Sequence, residues 1–509
     1  MLKIKTFDID FGGAEVVLNI EDANDLELRT QDRVKIVSKE DNVVAIINTT
    51  STFVKPGEIG IFKKVMSELG VKSGEKVKLE PVEKPESVEY IKKKLDGYKL
   101  SKEEIYSIVN DTVNESLSLI DLAAFVSALH ARGMEMDEVV NLTEAMTKTG
   151  ETIKFSGATY DKHSLGGVPG DKTTLLVVPI VAAAGLIIPK TSSRAITDPA
   201  GTADRMEVFS PVSHDIEDIE KIVKKTNGCI VWGGAVDLAP ADDSLIQVEY
   251  PLSLDPRPLL LASVMSKKNA VNSKFVVIDI PMGAGSKVSD YEEARKLAHD
   301  FVTLGDRLGM KVECALTYGA QPVGDSMGPA LEAREALKAL QGDGPNSLLE
   351  KSTAIAGILL EAGGIAERDE GEKVAMEYLE NGKALKKFRQ IIKAQGGNPD
   401  ITVEDIEKKI GKHKETIKAP KQGYVTKIQN RKIASVAKSA GAPHDKGAGI
   451  VLHAKGGAPV EKGKPLFTIY AEKKYKLETA VKLARKLNPV IIEGMLLEEI
   501  PEHAFLGRH

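Results

Sequence analysis

Cysteine is nearly missing from this chain: Cys229 and Cys314 are the only two among 509 residues. So few thiols exclude a disulfide framework and a zinc site built on cysteine. Positive charge is not in excess either, the formal net charge being −5. That balance argues against a general nucleic-acid surface, which is normally basic. Long apolar runs are missing too, since no stretch reaches the roughly 18 residues that a membrane-spanning helix needs. The opening segment MLKIKTFDIDFGG alternates like a strand and lacks the apolar core of a signal peptide. These absences together lead to the expectation of a cytoplasmic protein with neither nucleic acid nor membrane as partner. No cluster with metal-ligand spacing is visible, so neither a metal nor a cofactor is expected. The length exceeds what one ordinary core supports, and about three domains are expected.

The chain changes character along its length. Residues 1–84 alternate apolar and polar (KIKTFDIDF, VKIVS, NVVAIIN), with turn signals at Pro56-Gly57 and Ser73-Gly74. A β-rich domain is expected there, followed by a charged, proline-marked linker at 80–85. From Glu86 the spacing of Val88, Ile91 and Leu95 is helical, and Ser101 with Glu104 reads as a capping box. A glycine-rich α/β region follows, with buried strands expected at 174–178, 229–232, 275–280 and 312–317. Helices are expected at 291–308 and 328–340. After Ala419-Pro420 the pattern is β-like again (GYVTKIQN, KIASVAK, GIVLHAK, LFTIYAE), and a helix is expected at 476–486.

Small, hydroxylated and basic residues crowd into two loops. One reads DKHSLGGVPGDKTT from Asp161 to Thr174, the other KTSSRAITDPAGT from Lys190 to Thr202. A glycine loop bares backbone N–H groups, hydroxyls add donors, and Lys and Arg add positive charge. That combination suits an anion with several oxygens, above all phosphate. A third anion loop is Pro281-Met282-Gly283-Ala284-Gly285-Ser286-Lys287, directly after an expected strand. It lacks the spacing of a Walker A loop, and GxG alone is weakly specific.

These loops resemble the paired phosphate loops of the thymidine and pyrimidine-nucleoside phosphorylases. The resemblance extends from about residue 86 to the end. The extra segment 1–84, the wording IPKTSSRAITDPAGT and VEYPLSLDPRPLLLAS point to the archaeal branch of that family, which acts on nucleoside 5′-monophosphates. The resemblance implies an α/β multidomain fold of nucleoside phosphorylase/phosphoribosyltransferase type. It divides the chain into a β-rich domain (1–84), a helical domain (86–155 and 240–272), an α/β phosphate-binding domain with a mixed or parallel sheet (156–239 and 273–412) and an α+β domain (418–509). It also implies phosphorolysis: AMP and phosphate give adenine and ribose 1,5-bisphosphate, with CMP and UMP as further substrates. The family is dimeric through its helical domain, so a homodimer or larger homo-oligomer is implied.

The same resemblance distributes roles. Lys162, Ser164, Thr174, Ser192 and Thr202 match contacts to the attacking phosphate. Gly167, Ser193, Arg194, Ala195, Ile196, Thr197, Asp198, Thr202, Ser263 and Lys287 match nucleotide contacts, with Arg194 and Lys287 expected on the 5′-phosphate. His163 falls close to sugar and base. Asp255 matches the proton donor to the leaving base, a role requiring a raised pKa. Read locally, Asp255-Pro256 is instead a helix N-cap followed by proline at the first helical turn, which would lower that pKa. Ser263 and Lys267 share one helix face. The arginine that completes the pyrimidine clamp is replaced by Val248, which fits a site open to purines. A plain pyrimidine-nucleoside phosphorylase, a magnesium-dependent phosphoribosyltransferase of the anthranilate type and a non-catalytic nucleotide sensor are the alternatives. The tail APKQGYVTKIQN…APVEKGKPLFTIYA resembles carrier domains but shows no modified lysine at a hairpin tip.

Overall fold

The computed structural model describes residues 1–39 and 41–497; Glu40 and the end of the C-terminal segment, 498–509, lie outside the described residues. The chain divides into two compact units, residues 1–150 with 239–266 and residues 151–238 with 267–509.

The first unit opens with a closed six-stranded barrel: β1 (Leu2–Thr6), β2 (Glu15–Asn19), β3 (Arg33–Val37), β4 (Asn42–Thr50), β5 (Glu58–Ile61) and β6 (Lys76–Val82). Around the barrel the order is β1-β5-β2-β4-β3-β6. Closure leaves no free sheet edge, and the alternating apolar residues Val16, Leu18, Val34, Ile36, Ala45, Ile47, Ile59 and Ile61 fill its interior. Four helices follow, Ser87–Leu95, Lys102–Val113, Leu119–Arg132 and Met136–Lys148. The second begins at a complete capping box between Ser101 and Glu104. The helix Pro240–Leu252 and the first part of Arg257–Ala270 join the same core through Ala241, Leu245, Val248, Leu259 and Ala262. Val248 is therefore a core residue of the helical bundle.

A buried arginine ties barrel to bundle. Arg33 on β3 donates from Nη2 to Asp121 Oδ2 (2.5 Å) and from Nε to the Ser116 carbonyl (2.8 Å). Asp121 also accepts from the Ser118 backbone and hydroxyl at the start of its helix. Burial would raise the Asp121 carboxyl, but Ser118 and Arg33 outweigh it and hold it below its ordinary value.

The second unit is organised by parallel strands. β7 (Tyr160–Ser164) pairs with β10 (Phe275–Met282), which pairs with β11 (Lys311–Tyr318). β8 (Ile188–Ser192) pairs with β9 (Gly228–Trp232). A single parallel bridge, Thr159 to Ile187, links the two pieces. The strands thus run β11-β10-β7-β8-β9, and β7 and β8 part company beyond that bridge. The connection β7–β8 carries the helix Thr174–Ala183, so residues 174–178, expected as a strand, are helical. A short apolar run has no periodicity to separate buried strand from buried helix. Here every residue from Thr174 to Ala182 is buried, and the run is the crossover of a βαβ unit. Strands β7 and β8 run into the two segments expected as loops, which begin at Asp161 and Lys190. The helices Tyr291–Arg307, Pro329–Leu340, Asn346–Ala362, Gly371–Glu380 and Lys383–Ala394 complete the layer structure.

The C-terminal portion carries two further sheets. One orders Ser326–Met327, Gly449–Leu452, Pro465–Ala471 and His413–Lys418; the other orders Pro459–Val460, Gly423–Ile428 and Val490–Glu493. KIASVAK, expected as β-like, lies in the helix Asn430–Ser439, because Ile433, Ala434, Val436 and Ala437 all pack inward at helical spacing.

Replacing Arg33 with alanine leaves Asp121 without its cation and should destabilise the first unit by on the order of 3 kcal/mol, as for other broken buried pairs. Denaturant unfolding followed by circular dichroism checks this; an unchanged midpoint would show the pair to be energetically idle.

Candidate active site

In an open parallel sheet, ligands bind outside the carboxyl ends of the strands, where the connections turn to opposite sides. Here that point is the end of β7: the chain leaves β7 towards β8 and β9, then returns to the far side of β7 as β10. Residues 165–173 form the loop at that end, with positive φ at Gly166, Gly167 and Gly170. Only glycine fits at position 170, because a Cβ would lie 2.7 Å from the Val323 carbonyl and 2.8 Å from that of Ser326. Buried Lys172 anchors the same loop, donating to Val323 O (3.0 Å) and Ser326 O (3.2 Å) and pairing with Glu335.

Strand alternation sorts the side chains of β7 onto two faces. On one face stand Lys162 and Ser164. Lys162 Nζ lies 2.9 Å from Thr173 Oγ1 and 3.4 Å from Thr174 Oγ1. Ser164 Oγ donates to Asp171 Oδ2 at 3.2 Å. Beneath them Lys351 bridges Asp171 (3.0 Å) and Asp279 (2.9 Å), and Thr317 donates to the other Asp279 oxygen at 2.5 Å. Burial lowers the Lys162 pKa, with Asp171 and Asp279 opposing. Burial also acts to raise Asp171, but Lys351 and Lys162 hold it well below the carboxylate range.

On the opposite face stand Asp161 and His163. Asp161 is wholly buried and takes Lys268 at 2.6 Å and Lys190 at 3.8 Å. His163 is half-buried. Its pKa is driven well below the ordinary value by burial first, then by the charges of Lys268, Lys190, Lys267 and Lys162. The imidazole is therefore neutral near pH 7, able to donate one hydrogen bond and accept another.

The second loop follows β8. Ser192 ends that strand, and its hydroxyl is buried without a hydrogen-bond partner. Asp204 shapes the loop by accepting from Ala195 N and Gly201 N, each at 2.8 Å. Arg194 pairs with Glu207 (2.8 and 2.9 Å) and Asp204 (3.2 Å) and lies 5.0 Å over the Trp232 ring. The Arg194 hydrogen bonds hold the Glu207 carboxyl down at about 2. Arg205 joins the two loops through Asp171 O (2.7 Å) and Ala200 O (2.6 Å). Its Nε sits 2.6 Å from Glu332, an ion pair off the line of a good hydrogen bond. Ser193, Ile196 and Thr197 are exposed on the loop, and Thr202 starts the helix Thr202–Met206.

The third loop closes on itself: Ser286 Oγ donates to Gly283 O (2.7 Å) and Val288 O (2.6 Å). It abuts the first loop, since a Cβ on Gly167 would lie 3.2 Å from the Lys287 nitrogen. Asp198 stands beside Gly166 and Gly167. The second unit thus brings together Lys162, His163, Ser164, Gly167, Thr174, Ser192 to Asp198, Thr202 and Lys287. Asp255 and Ser263 belong to the first unit. Asp255 is exposed just before the helix Arg257–Ala270, and Ser263 is half-buried on it.

Several residues of this site escaped the sequence reading. Asp171 and Thr173 lie inside the quoted loop, yet nothing local marks them. Lys351 is 180 residues from Asp171, in an otherwise unremarkable helix, and only tertiary contact exposes its role. Asp279, Thr317 and Lys268 are hidden likewise, and Lys190, which opens the second quoted loop, was given no specific partner.

Comparison with known proteins shows three matched segments. Residues 88–150 match the glycosyl transferase family helical bundle domain, 156–385 its a/b domain, and 424–490 the pyrimidine nucleoside phosphorylase C-terminal domain. The AMP phosphorylase of Methanocaldococcus jannaschii is 52% identical over 98% of this chain and 99% of its own length. That of Methanococcoides burtonii is 51% identical over 98% of each chain, and that of Thermococcus sibiricus 50% over 98% and 99%. Among solved structures, anthranilate phosphoribosyltransferase from Thermus thermophilus is similar in fold. It has a TM-score of 0.50 at 19% identity and covers 60% of this chain and 98% of that one.

The neutral state of His163 is directly measurable. Its ring nitrogens should report uncharged imidazole from pH 8 down to pH 6 by ¹⁵N NMR, with protonation beginning only below the usual value near 6.5. A titration centred at the ordinary value would show that neither burial nor the four surrounding lysines perturb it.

Proposed function

The chain belongs to the AMP phosphorylases, and we propose that its anion loops hold two phosphates on either side of one ribose. AMP and inorganic phosphate are the substrates, and adenine and ribose 1,5-bisphosphate are the products. Phosphate displaces the base at C1′ of the sugar, through a state with positive charge on the ring. Bringing nucleophile and nucleotide together in register supplies several kcal/mol of the barrier.

The observation that carries the assignment of roles is the group around Lys162. Buried Lys162 and the hydroxyls of Ser164, Thr173 and Thr174 lie at the carboxyl end of β7, and Ser192, with its unpartnered Oγ, ends the neighbouring β8. Ser164 and Thr173 already donate to Asp171, and the Ser192 hydroxyl is the donor left without a partner. Lys162, Ser164, Thr174, Ser192 and Thr202 hold the attacking phosphate, and Lys351 balances the carboxylates beneath so that they do not repel it. Gly167, Ser193 to Asp198, Thr202, Ser263 and Lys287 hold the nucleotide. Lys287 takes the 5′-phosphate together with Arg194, which would then exchange part of its Glu207 pairing for the substrate. His163, neutral, hydrogen-bonds the sugar or base. Asp255 delivers a proton to the departing base, a step that requires the substrate to desolvate a carboxyl now in water. CMP and UMP are accepted as well, the enzyme works as a homodimer or larger assembly, and it acts in the cytoplasm.

Incubation with AMP, CMP, UMP and the parent nucleosides, with and without phosphate and magnesium, should release free base from the nucleotides. Release should need phosphate and be insensitive to EDTA. Base release from nucleosides alone would instead indicate a plain nucleoside phosphorylase.

Alanine at both Arg194 and Lys287 should erase most of the preference for AMP over adenosine, read as a ratio of kcat/KM values. An unchanged ratio would place the 5′-phosphate elsewhere.

A further inference from the structure

The deepest charged cluster of the second unit does not balance. Asp161 is fully buried on β7 and meets two lysines: Lys268 at 2.6 Å through Oδ2, and Lys190 at 3.8 Å through Oδ1. Both lysines are buried. The Asp161 carboxylate is satisfied by Lys268 and by the Lys162 backbone N–H at 2.7 Å, which leaves Lys190 with a backbone carbonyl, Thr191 O, as its hydrogen-bond acceptor. With both amines protonated, one buried anion would face two cations and leave a surplus positive charge that water cannot solvate.

The position of that surplus is informative. Lys190 and Ser192 are two residues apart on β8, so their side chains share one face of the strand. Ser192 carries the unpartnered hydroxyl assigned above to the attacking phosphate. An anion arriving at Ser192 would supply the charge that the cluster lacks.

We propose that Lys190 is a switchable counter-charge, taking up a proton from solvent when phosphate binds and returning it when the site empties. The inference rests on the phosphate reading of the Ser192 site and adds a proton to its binding equilibrium. The ammonium forms by adding one proton to the neutral amine, so charge balances against the incoming anion without any covalent step. Burial, and then repulsion from Lys268, lower the Lys190 pKa to about 7, with Asp161 opposing and Lys162 adding to the repulsion. On the β9 side stands Cys229, whose thiol burial pushes up to about 12 and keeps neutral. His163, neutral as well, faces the same lysines from β7. At pH 8 a group titrating at about 7 is mostly deprotonated, so the empty site has a proton to gain.

Calorimetric titration of the full chain with inorganic phosphate at pH 8, in non-phosphate buffers of different ionisation enthalpy, reads this proton directly. Uptake approaching one proton per site is expected for the wild type, where phosphate is largely dianionic. Lys190→Met should bind phosphate more weakly with almost no uptake. Lys190→Arg, permanently charged, should retain affinity and also show no uptake, which separates loss of titration from loss of fold. No buffer-dependent heat in the wild type, or unchanged uptake in both variants, overturns the proposal. So does uptake that persists in Lys190→Met and disappears in Lys162→Met or His163→Asn. Adenine release from AMP by the same preparation keeps the two readings apart. Turnover without proton uptake sinks the counter-charge alone; proton-linked phosphate binding without adenine release sinks the reaction alone.

Discussion

Charges that cannot reach water must find one another, and the second unit is built around that constraint. Lys162, Lys172, Lys190, Lys268, Lys351 and Arg205 are all buried, as are Asp161, Asp279, Glu332 and Glu335. An isolated buried ion is too costly to survive folding. Most are held to a partner from a different strand, helix or loop, Lys190 being the exception. Lys351 links the β7 loop to β10 through Asp171 and Asp279, Arg205 links the first loop to the second, and Lys172 links the first loop to the turn at 322–326. These pairs pin the first two glycine-bearing loops to the sheet and to each other.

The arrangement also explains how a site can attract anions without collapsing on itself. On the Lys162 face of β7, two carboxylates offset two lysines, and the hydroxyls of Ser164, Thr173 and Thr174 fill the space between. On the Asp161 face lysines outnumber carboxylates, and burial first, then these lysines, hold His163 neutral. One strand of five residues therefore presents two electrostatic environments, separated by nothing more than the pleat. A neutral imidazole suits orientation of a sugar or base, and a buried ammonium among hydroxyls suits a multivalent oxyanion.

Much of the fold was legible in the residues. The capping box at Ser101 and Glu104, the alternation of residues 1–84 and the helical period of 291–308 each reflect local chemistry, and local chemistry is what a sequence displays. Residues 174–178 misled because a fully buried helix carries no polar face to reveal its period. KIASVAK misled because two β-branched residues, Ile433 and Val436, outweighed in reading the three-residue spacing that in fact buries one helix face. Strands β7 and β8 were hidden by their composition: their last residues are Lys, His, Ser and Thr, which read as loop although they lie in a parallel sheet.

By itself, the sequence determined an anion-binding character, since glycines, hydroxyls and cations can be read without coordinates, and its resemblance to a known family, which holds over nearly the full length of relatives, determined the reaction class. It determined the candidate ligands that lie within those loops for the same reason. Only the tertiary structure decided which charges meet. Asp161 with Lys268, Asp171 with Lys351 and Lys172 with Glu335 are separated by 107, 180 and 163 residues. Coulomb attraction acts through space and not along the chain, so its partners, and the second lysine crowded onto Asp161, become visible only when the strands are folded side by side.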